Sequence, residues 1–116
     1  MFKVQKMYSN MFVTVDTYKE AVSMAEEAAK AHAEPFIIFE ERGTRWYKRM
    51  IVGRKYELLP RSDGYEIRKR DGRKWVYLIK VYNGEYTWGY DYTYSKIYKT
   101  FRAAQDAFVL IESRNA

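Results

Sequence analysis

The sequence predicts a single α+β domain in which antiparallel β-sheet, as one or two sheets, is packed by two helices. Three observations support this class: strand-like segments separated by turn residues run through about 64–94, two other segments space their apolar residues as helices do, and a length of 116 residues suits one compact domain. Nearly half of the chain, 47%, is hydrophobic and only two residues are proline, so it has the apolar material for a core. We therefore expect one folded domain across residues 1–116.

The first third of the chain predicts two short strands followed by a helix at about 17–33. Phe2–Met7 and Met11–Val15 have strand-like composition and flank the turn sequence YSN. Thr17 and Glu20 then form a capping box ahead of an alanine-rich stripe with helical spacing. Because Pro35 disfavours helical geometry in the residue before it, the helix is expected to end near residue 33.

Three further strands are predicted between this helix and residue 64. The segment PFIIFEE is the strongest candidate for a buried strand, and the turn ERGT leads from it into a second strand, RWYKRMIV. A short strand, KYELL, follows and is expected to stop at Pro60. The next four residues, RSDG, have the composition of a turn.

Residues 64–94 predict a meander of three strands. The dipeptide Asn83-Gly84 indicates a two-residue hairpin loop, because both residues tolerate positive φ. Directly opposed residues of a hairpin point to the same face. This loop therefore places the odd-numbered residues of Trp75–Val81 on one face with the aromatic side chains of the following strand.

The hairpin before it allows two registers. A two-residue loop, DG, would direct charged side chains onto the aromatic face, whereas a three-residue loop, RDG, pairs Ile67 with Trp75. We predict the three-residue loop for this reason. It places Arg68 opposite Lys74 on the outer face of the sheet.

The final segment, TFRAAQDAFVLIES, predicts a second helix at about 101–113. Its apolar stripe is formed by four residues: Phe101, Ala104, Phe108 and Ile111. Such a stripe needs an apolar sheet face to pack against.

Aromatic residues occupy every second position from Tyr86 to Tyr94, in the sequence YTWGYDYTY. Such a row is either a stacking platform for nucleotide bases or the buried face of a sheet. A fully exposed row would present a larger apolar patch than soluble monomers usually tolerate, so we expect the second helix to cover it. Tyr92 and Tyr94, near its end, are the aromatic residues expected to reach solvent.

The positive charge is concentrated in the middle of the chain. The whole sequence has a formal net charge of +6, whereas residues 42–74 alone carry 12 of the 21 lysines and arginines and only four acidic residues. This pattern favours a polyanion or an acidic protein surface as the partner. It is also compatible with charge that only keeps a tyrosine-rich protein soluble.

The function expected from these features is non-catalytic binding of nucleic acid, without sequence specificity, through phosphate contacts from a basic sheet face. The alternative is a small protein-binding module or inhibitor, in the style of small bacteriophage accessory proteins, that docks on an acidic partner protein. The same candidate residues serve either function: Arg45, Arg49, Arg54, Lys55, Arg68, Arg70, Lys74, Lys80, Trp46, Tyr47 and Tyr56.

Nothing in the sequence indicates an enzyme. Cysteine is absent, the single histidine, His32, falls in the last turn of the first helix, and no phosphate-binding loop, nucleophile elbow or zinc pattern occurs. We expect no catalytic residues, no cofactor and no metal. A cytoplasmic protein without membrane contact is expected, as a monomer or as a homodimer formed through an edge strand such as Phe2–Met7.

Overall fold

The computed structural model of the chain describes residues 1–114 and confirms the α+β class. The chain divides into two compact units, Met1–Arg54 and Lys55–Ala116. Each unit contains four antiparallel strands and one α-helix. Within residues 1–114, no helix combines the length and the apolar character that crossing a membrane requires.

The first unit is a four-stranded antiparallel sheet with one helix on one face. The strands lie in the order β2-β1-β3-β4, so β1 is an inner strand and not the edge strand that we expected. The elements are β1 (Phe2–Lys6), β2 (Phe12–Val15), α1 (Tyr18–His32), β3 (Phe36–Arg42) and β4 (Arg45–Val52).

Helix α1 confirms the predicted capping box and alanine stripe. The Thr17 hydroxyl accepts a hydrogen bond from the Glu20 backbone N–H at 3.1 Å and donates one to the Glu20 carboxylate at 2.9 Å. The helix ends at Ala33, which adopts the left-handed conformation with φ of 52°. Three fully buried alanines face the sheet, and their small side chains allow close helix packing: Ala21, Ala25 and Ala29.

The second unit confirms the predicted meander and the second helix. Its strands lie in sequence order, and α2 packs mainly against β5 and β6. The apolar core between them includes Leu58, Ile67, Leu78, Phe108 and Ile111. The elements are β5 (Tyr56–Arg61), β6 (Gly64–Asp71), β7 (Lys74–Tyr82), β8 (Glu85–Gly89) and α2 (Phe101–Arg114), with a one-turn 3₁₀ helix at Tyr92–Tyr94.

The predicted loop between β7 and β8 is confirmed, and the predicted register between β6 and β7 is wrong. Asn83 and Gly84 both have positive φ and form the two-residue loop. Between β6 and β7, Asp71 opposes Lys74, so the loop is GR and neither register weighed from the sequence occurs. Gly72 has φ of 63°, as the first position of a type II′ turn requires.

The observed register exchanges the faces that the sequence predicted for β7. Arg68 opposes Tyr77 and Arg70 opposes Trp75, so these charged and aromatic side chains share the face away from α2. The side facing α2 receives aliphatic residues instead, including Leu78, which is fully buried. In the observed register, aliphatic side chains fill the core under α2, and the arginines stack on aromatic rings on the opposite face.

A β-bulge in β7 separates the residues that we expected on one face. Tyr86 opposes Val81 as predicted, but beyond the bulge Trp88 opposes Leu78 instead of Ile79. Ile79 lies 3.2 Å from the position that a Cβ on Gly89 would take, so the glycine leaves room for it. Trp88 therefore shares its face with the core of the second unit.

Two predicted element ends also differ in the structure. Pro60 lies inside β5, opposite Tyr65, instead of ending the strand. The segment Tyr86–Tyr94, with its alternating aromatic residues, is a strand only as far as Gly89, and Tyr92–Tyr94 form the 3₁₀ turn. The side chain of Asp91 caps this turn by accepting a hydrogen bond from the Thr93 backbone N–H at 2.9 Å.

Gly64 marks a close approach of two backbone segments. Tyr65 and Tyr98 exchange backbone hydrogen bonds of 2.8 Å in both directions. A Cβ at Gly64 would lie 2.2 Å from the carbonyl oxygen of Tyr98, and the φ of 152° at this position is one that other residues rarely adopt. The last residue of the turn RSDG must therefore be glycine for the segment before α2 to reach β6.

The substitution Gly64→Ala is expected to lower the free energy of unfolding by about 3 kcal/mol, because the clash adds to the backbone strain. Gly72→Ala is the matched control, since its φ is also positive but the space around its Cβ is open. That variant should lose about 1 kcal/mol. Urea unfolding followed by circular dichroism measures both, and equal losses would contradict the close approach at Gly64.

Candidate functional site

The predicted basic face is largely neutralised by a buried carboxylate. Glu57, on β5, is fully buried, and its two oxygens accept hydrogen bonds from two arginines. Arg68 Nη2 lies 2.8 Å from Oε1 and Arg70 Nη2 lies 3.3 Å from Oε2. Two of the cations expected to bind phosphates therefore serve an internal ion pair, whose loss would leave a buried charge.

The same two arginines stack on one aromatic ring. The guanidinium carbon of Arg68 lies 3.8 Å from the centroid of the Trp75 ring, and that of Arg70 lies 4.3 Å from it. Lys74 points to the other side of the sheet, because it is three residues from Tyr77, which opposes Arg68. The predicted pair of Arg68 and Lys74 on one outer face does not form.

A second ion pair lies on the same face of the second unit. Arg61 Nη1 donates to Glu66 Oε2 at 2.6 Å, and the Ser95 hydroxyl donates to the same oxygen at 2.7 Å. The Glu66 side chain is almost fully buried. The guanidinium of Arg61 also lies 5.2 Å from the ring centroid of Tyr92. This face is thus an internally satisfied layer of ions and aromatic rings.

The predicted candidates of the first unit do not gather on one face. Arg49 lies 3.6 Å from a Glu40 carboxylate oxygen and 4.8 Å from the ring centroid of Tyr18, on the side of α1. Trp46 lies on the opposite side, where Lys3 Nζ is 5.1 Å from its ring centroid. The remaining candidates are exposed: Arg45, Tyr47 and Arg54.

The remaining candidates in the second unit, Lys55, Tyr56, Lys74 and Lys80, do not all lie on one face. Lys55 and Lys74 are exposed, whereas Tyr56 is buried and its ring centroid lies 5.8 Å from that of Trp88. Lys80 opposes Thr87 and points to the face opposite to Trp88. Lys55 and Lys74 are therefore the predicted cations that remain available beside the aromatic side chains.

The row of Tyr86, Trp88 and Tyr90, hereafter the aromatic row, is not covered as we expected. Helix α2 packs mainly on β5 and β6, and the row lies on the same face at the β8 edge. Tyr86 and Trp88 are half-buried, and Tyr90 is 62% exposed. The expectation that Tyr92 and Tyr94 reach solvent is confirmed. Tyr90 is thus mostly accessible to solvent, and Tyr86 and Trp88 are partly accessible.

Each ring of the aromatic row has a cation beside it. Arg114 lies 5.7 Å from the ring centroid of Tyr86, and Lys69 lies 4.5 Å from that of Trp88. Lys74 lies 5.8 Å from the ring centroid of Tyr90. The cations come from α2, β6 and β7 respectively, so three different elements place positive charge beside β8 and the residue that follows it.

Two hydrogen bonds fix the ends of this arrangement. The Tyr90 hydroxyl donates to Asp71 Oδ2 at 2.5 Å, and this bond raises the pKa of Tyr90. Arg114 Nη1 donates to the backbone oxygen of Gly84 at 2.5 Å. The first bond ties Tyr90 to the end of β6, and the second holds Arg114 of α2 next to the loop that precedes β8.

Lys69 lies close to a second cation. Partial burial lowers its pKa, and the nearby Lys55 ammonium lowers it further, whereas Asp71 opposes the shift. Like charges held together in this way are stabilised when an anion binds between or beside them. A negatively charged group beside Lys69 would therefore raise the pKa of Lys69 and favour its charged form, as Asp71 already does.

Glu112 adds a carboxylate beneath this surface. Desolvation raises its pKa, and within residues 1–114 its Oε2 atom is buried without a hydrogen-bond partner. Its charge also contributes to the raised pKa of Tyr56, after the larger effect of burial. The carboxylate lies on α2, so it belongs to the helix that borders the aromatic row.

The sequence contained the signal for the aromatic row but not for its cations. The period-two spacing identified Tyr86, Trp88 and Tyr90, although their accessibility depends on where α2 docks. Lys69 was not among the predicted site residues, and Arg114 lay beyond the predicted end of the second helix. No sequence pattern links these two residues to the row, because both contacts depend on tertiary structure.

No protein-family model, no curated protein and no solved structure matches the chain. The geometry of the site is therefore the basis for its functional interpretation.

The variant Glu112→Gln is expected to raise the melting temperature at pH 7, because the folded state no longer holds a partly desolvated carboxylate. The gain should be about 1 kcal/mol or less, since the group is partly hydrated. A raised pKa means that the charged form is less stable in the folded state, so the penalty grows as the pH rises from the unfolded-state pKa to the raised folded-state pKa and is complete above it.

At about pH 3 and below, which lies well under the ordinary pKa of glutamate, Glu112 is protonated in both the folded and unfolded states, and the variant should match the parent chain. Thermal unfolding across this pH range makes the comparison. A stabilisation that is equally large at low pH would show that the carboxylate charge is not its cause.

Proposed function

We propose that the protein is a non-catalytic, sequence-independent binding protein for single-stranded nucleic acid, with the aromatic row as its binding surface. The observation that carries this proposal is the placement of a cation beside each of three rings at alternate positions, two of them on β8 and the third, Tyr90, directly after it. Aromatic rings that stack on bases, combined with cations that contact phosphates, are the features of sequence-independent single-strand binding. The proposal keeps the function class expected from the sequence and moves the surface.

The geometry favours a single strand over a duplex. Tyr86 and Trp88 are alternate residues of β8, and such side chains are roughly 6.8 Å apart, about twice the 3.4 Å rise per nucleotide along one strand of a duplex. Bases that stack on successive rings must therefore separate from one another. A single strand allows this separation, whereas a duplex keeps its base faces stacked and paired inside the helix.

The cations supply the phosphate contacts. Lys74 and Arg114 are exposed, and Lys69 is half-exposed beside Lys55. A phosphate next to the two lysines would relieve their mutual repulsion and favour the charged form of Lys69. With three or four phosphates neutralised, the logarithm of the affinity should fall with the logarithm of salt with a slope of about −2 to −3.

Replacement of Tyr90 with alanine tests base stacking. Loss of one stacking ring should weaken binding of a fluorescently labelled oligothymidylate of about 15 nucleotides roughly 5- to 100-fold. Fluorescence anisotropy measures the affinity. Tyr94→Ala is the matched control, because Tyr94 is 71% exposed but lies outside the row. Equal loss in both variants, or preference for a duplex of the same length, would overturn the proposal.

Replacement of Lys74 with alanine tests the phosphate contacts. The variant should bind single strands more weakly at low salt, and the magnitude of its salt slope should drop by about 0.7, the value for one lost contact. Lys30→Ala, on α1, is the control and should leave the slope unchanged. An affinity that does not depend on salt in the parent chain would contradict phosphate binding. Recovery of one protein partner from a nuclease-treated lysate, without oligonucleotide binding, would favour docking on an acidic protein.

A further inference from the structure

In the first unit, β2 is an edge strand whose outer backbone groups are open to pairing. Among the residues that the structure describes, β2 pairs only with β1, and its other edge is open. Its sequence, FVTV, contains no charge, no proline and no bulge. Charges, prolines and bulges are features by which natural edge strands avoid pairing with other strands, so of such protections β2 has only its short length of four residues.

An apolar groove runs beside this edge. It has a volume of about 300 Å³ and lies between β2 and α1. Met11 and Val13 border it on the strand side, where they are 74% and 50% exposed. Met24, on α1, is also exposed at 38% and forms part of the other side. The exposed apolar side chains of the first unit thus concentrate at one edge.

The backbone of β2 has a defined set of outward groups. The Lys6 N–H donates to the Met11 oxygen at 3.2 Å, which continues the register of β1 and β2. Because hydrogen-bonded pairs alternate along an antiparallel ladder, Val13 also directs its backbone groups to β1. The N–H and C=O groups of Phe12 and Thr14 therefore point away from the sheet and are available to another strand.

We propose that a second copy of this chain occupies this edge, with the two β2 strands paired antiparallel about a two-fold axis at Val13. In this register Phe12 of each copy exchanges backbone hydrogen bonds with Thr14 of the other. The pairing joins two four-stranded sheets into one and leaves neither β2 edge open. An isologous contact of this kind uses the same surface twice.

The side chains of β2 are complementary to the groove that they border. A strand added to an edge directs alternate side chains to one face, and Met11, Val13 and Val15 supply apolar side chains at that spacing on the α1 side. In the proposed register Met11 opposes Val15, and Asn10 opposes Asp16. No like charges therefore face each other across the pair. This match is why a copy of the same strand is the occupant proposed.

Sedimentation velocity on the full chain tests the proposal. The parent chain should form dimers at about 100 µM, and Val13→Lys should weaken self-association at least tenfold, because a lysine at the two-fold axis would face its own copy. Thr87→Lys is the matched control on β8, the edge of the second unit, and should still form dimers. A monomeric parent chain, or a dimer that persists in Val13→Lys, would overturn the proposal.

Crosslinking provides a second test that does not depend on the folding of the lysine variant. The chain contains no cysteine, so Val13→Cys introduces a single thiol. A pair that is not hydrogen-bonded has Cα atoms roughly 4.5 Å apart, within the range of a disulfide. Diamide oxidation should produce a covalent dimer of this variant and not of Thr87→Cys. Equal crosslinking of both, or none in Val13→Cys, would contradict the two-fold axis at Val13.

Discussion

The fully buried carboxylate of Glu57 is the constraint on which the second unit depends. A charge in this position is stable only when it is paired and hydrogen-bonded, and Arg68 and Arg70 supply that pairing from the neighbouring strand. Both arginines must therefore point to the face of Glu57, where Trp75 provides a ring for them to stack on. Once that face is set, alternation along β6 directs Ile67 and Lys69 to the opposite face.

The location of the candidate site follows from the same arrangement. Lys69 reaches Trp88 because it shares the side of the core, and the core residues draw α2 onto β5 and β6. The chain before α2 returns to β6 through the backbone pairing of Tyr65 and Tyr98, so the helix begins beside β6, where the ring centroids of Tyr65 and Phe101 lie 5.3 Å apart. The aromatic row is left at the edge of the helix-covered face. The row therefore borders the buried core under α2, while Tyr90 at its end is exposed to solvent.

Local sequence signals predicted most of the helices, strands and turns. Tertiary contacts determined the features that the sequence did not predict correctly. The capping box at Thr17, the alanine stripe and the Asn83-Gly84 loop each depend on neighbouring residues, so the sequence was sufficient. The register of β6 and β7 depends instead on Glu57, which pairs with residues of the next strand, and the bulge at Ile79 depends on the missing side chain of Gly89. The accessibility of the aromatic row depends on where α2 docks.

The three tryptophans allow a direct measurement of the central claim, because they lie in different environments. Trp88 belongs to the aromatic row, Trp75 lies under two arginines on the opposite face, and Trp46 belongs to the first unit. Titration of the ¹⁵N-labelled protein with oligothymidylate, followed through the three indole N–H signals, should shift Trp88 and leave the other two unchanged. A shift of Trp75 with Trp88 unperturbed would show that the strand binds the opposite face and would contradict the account.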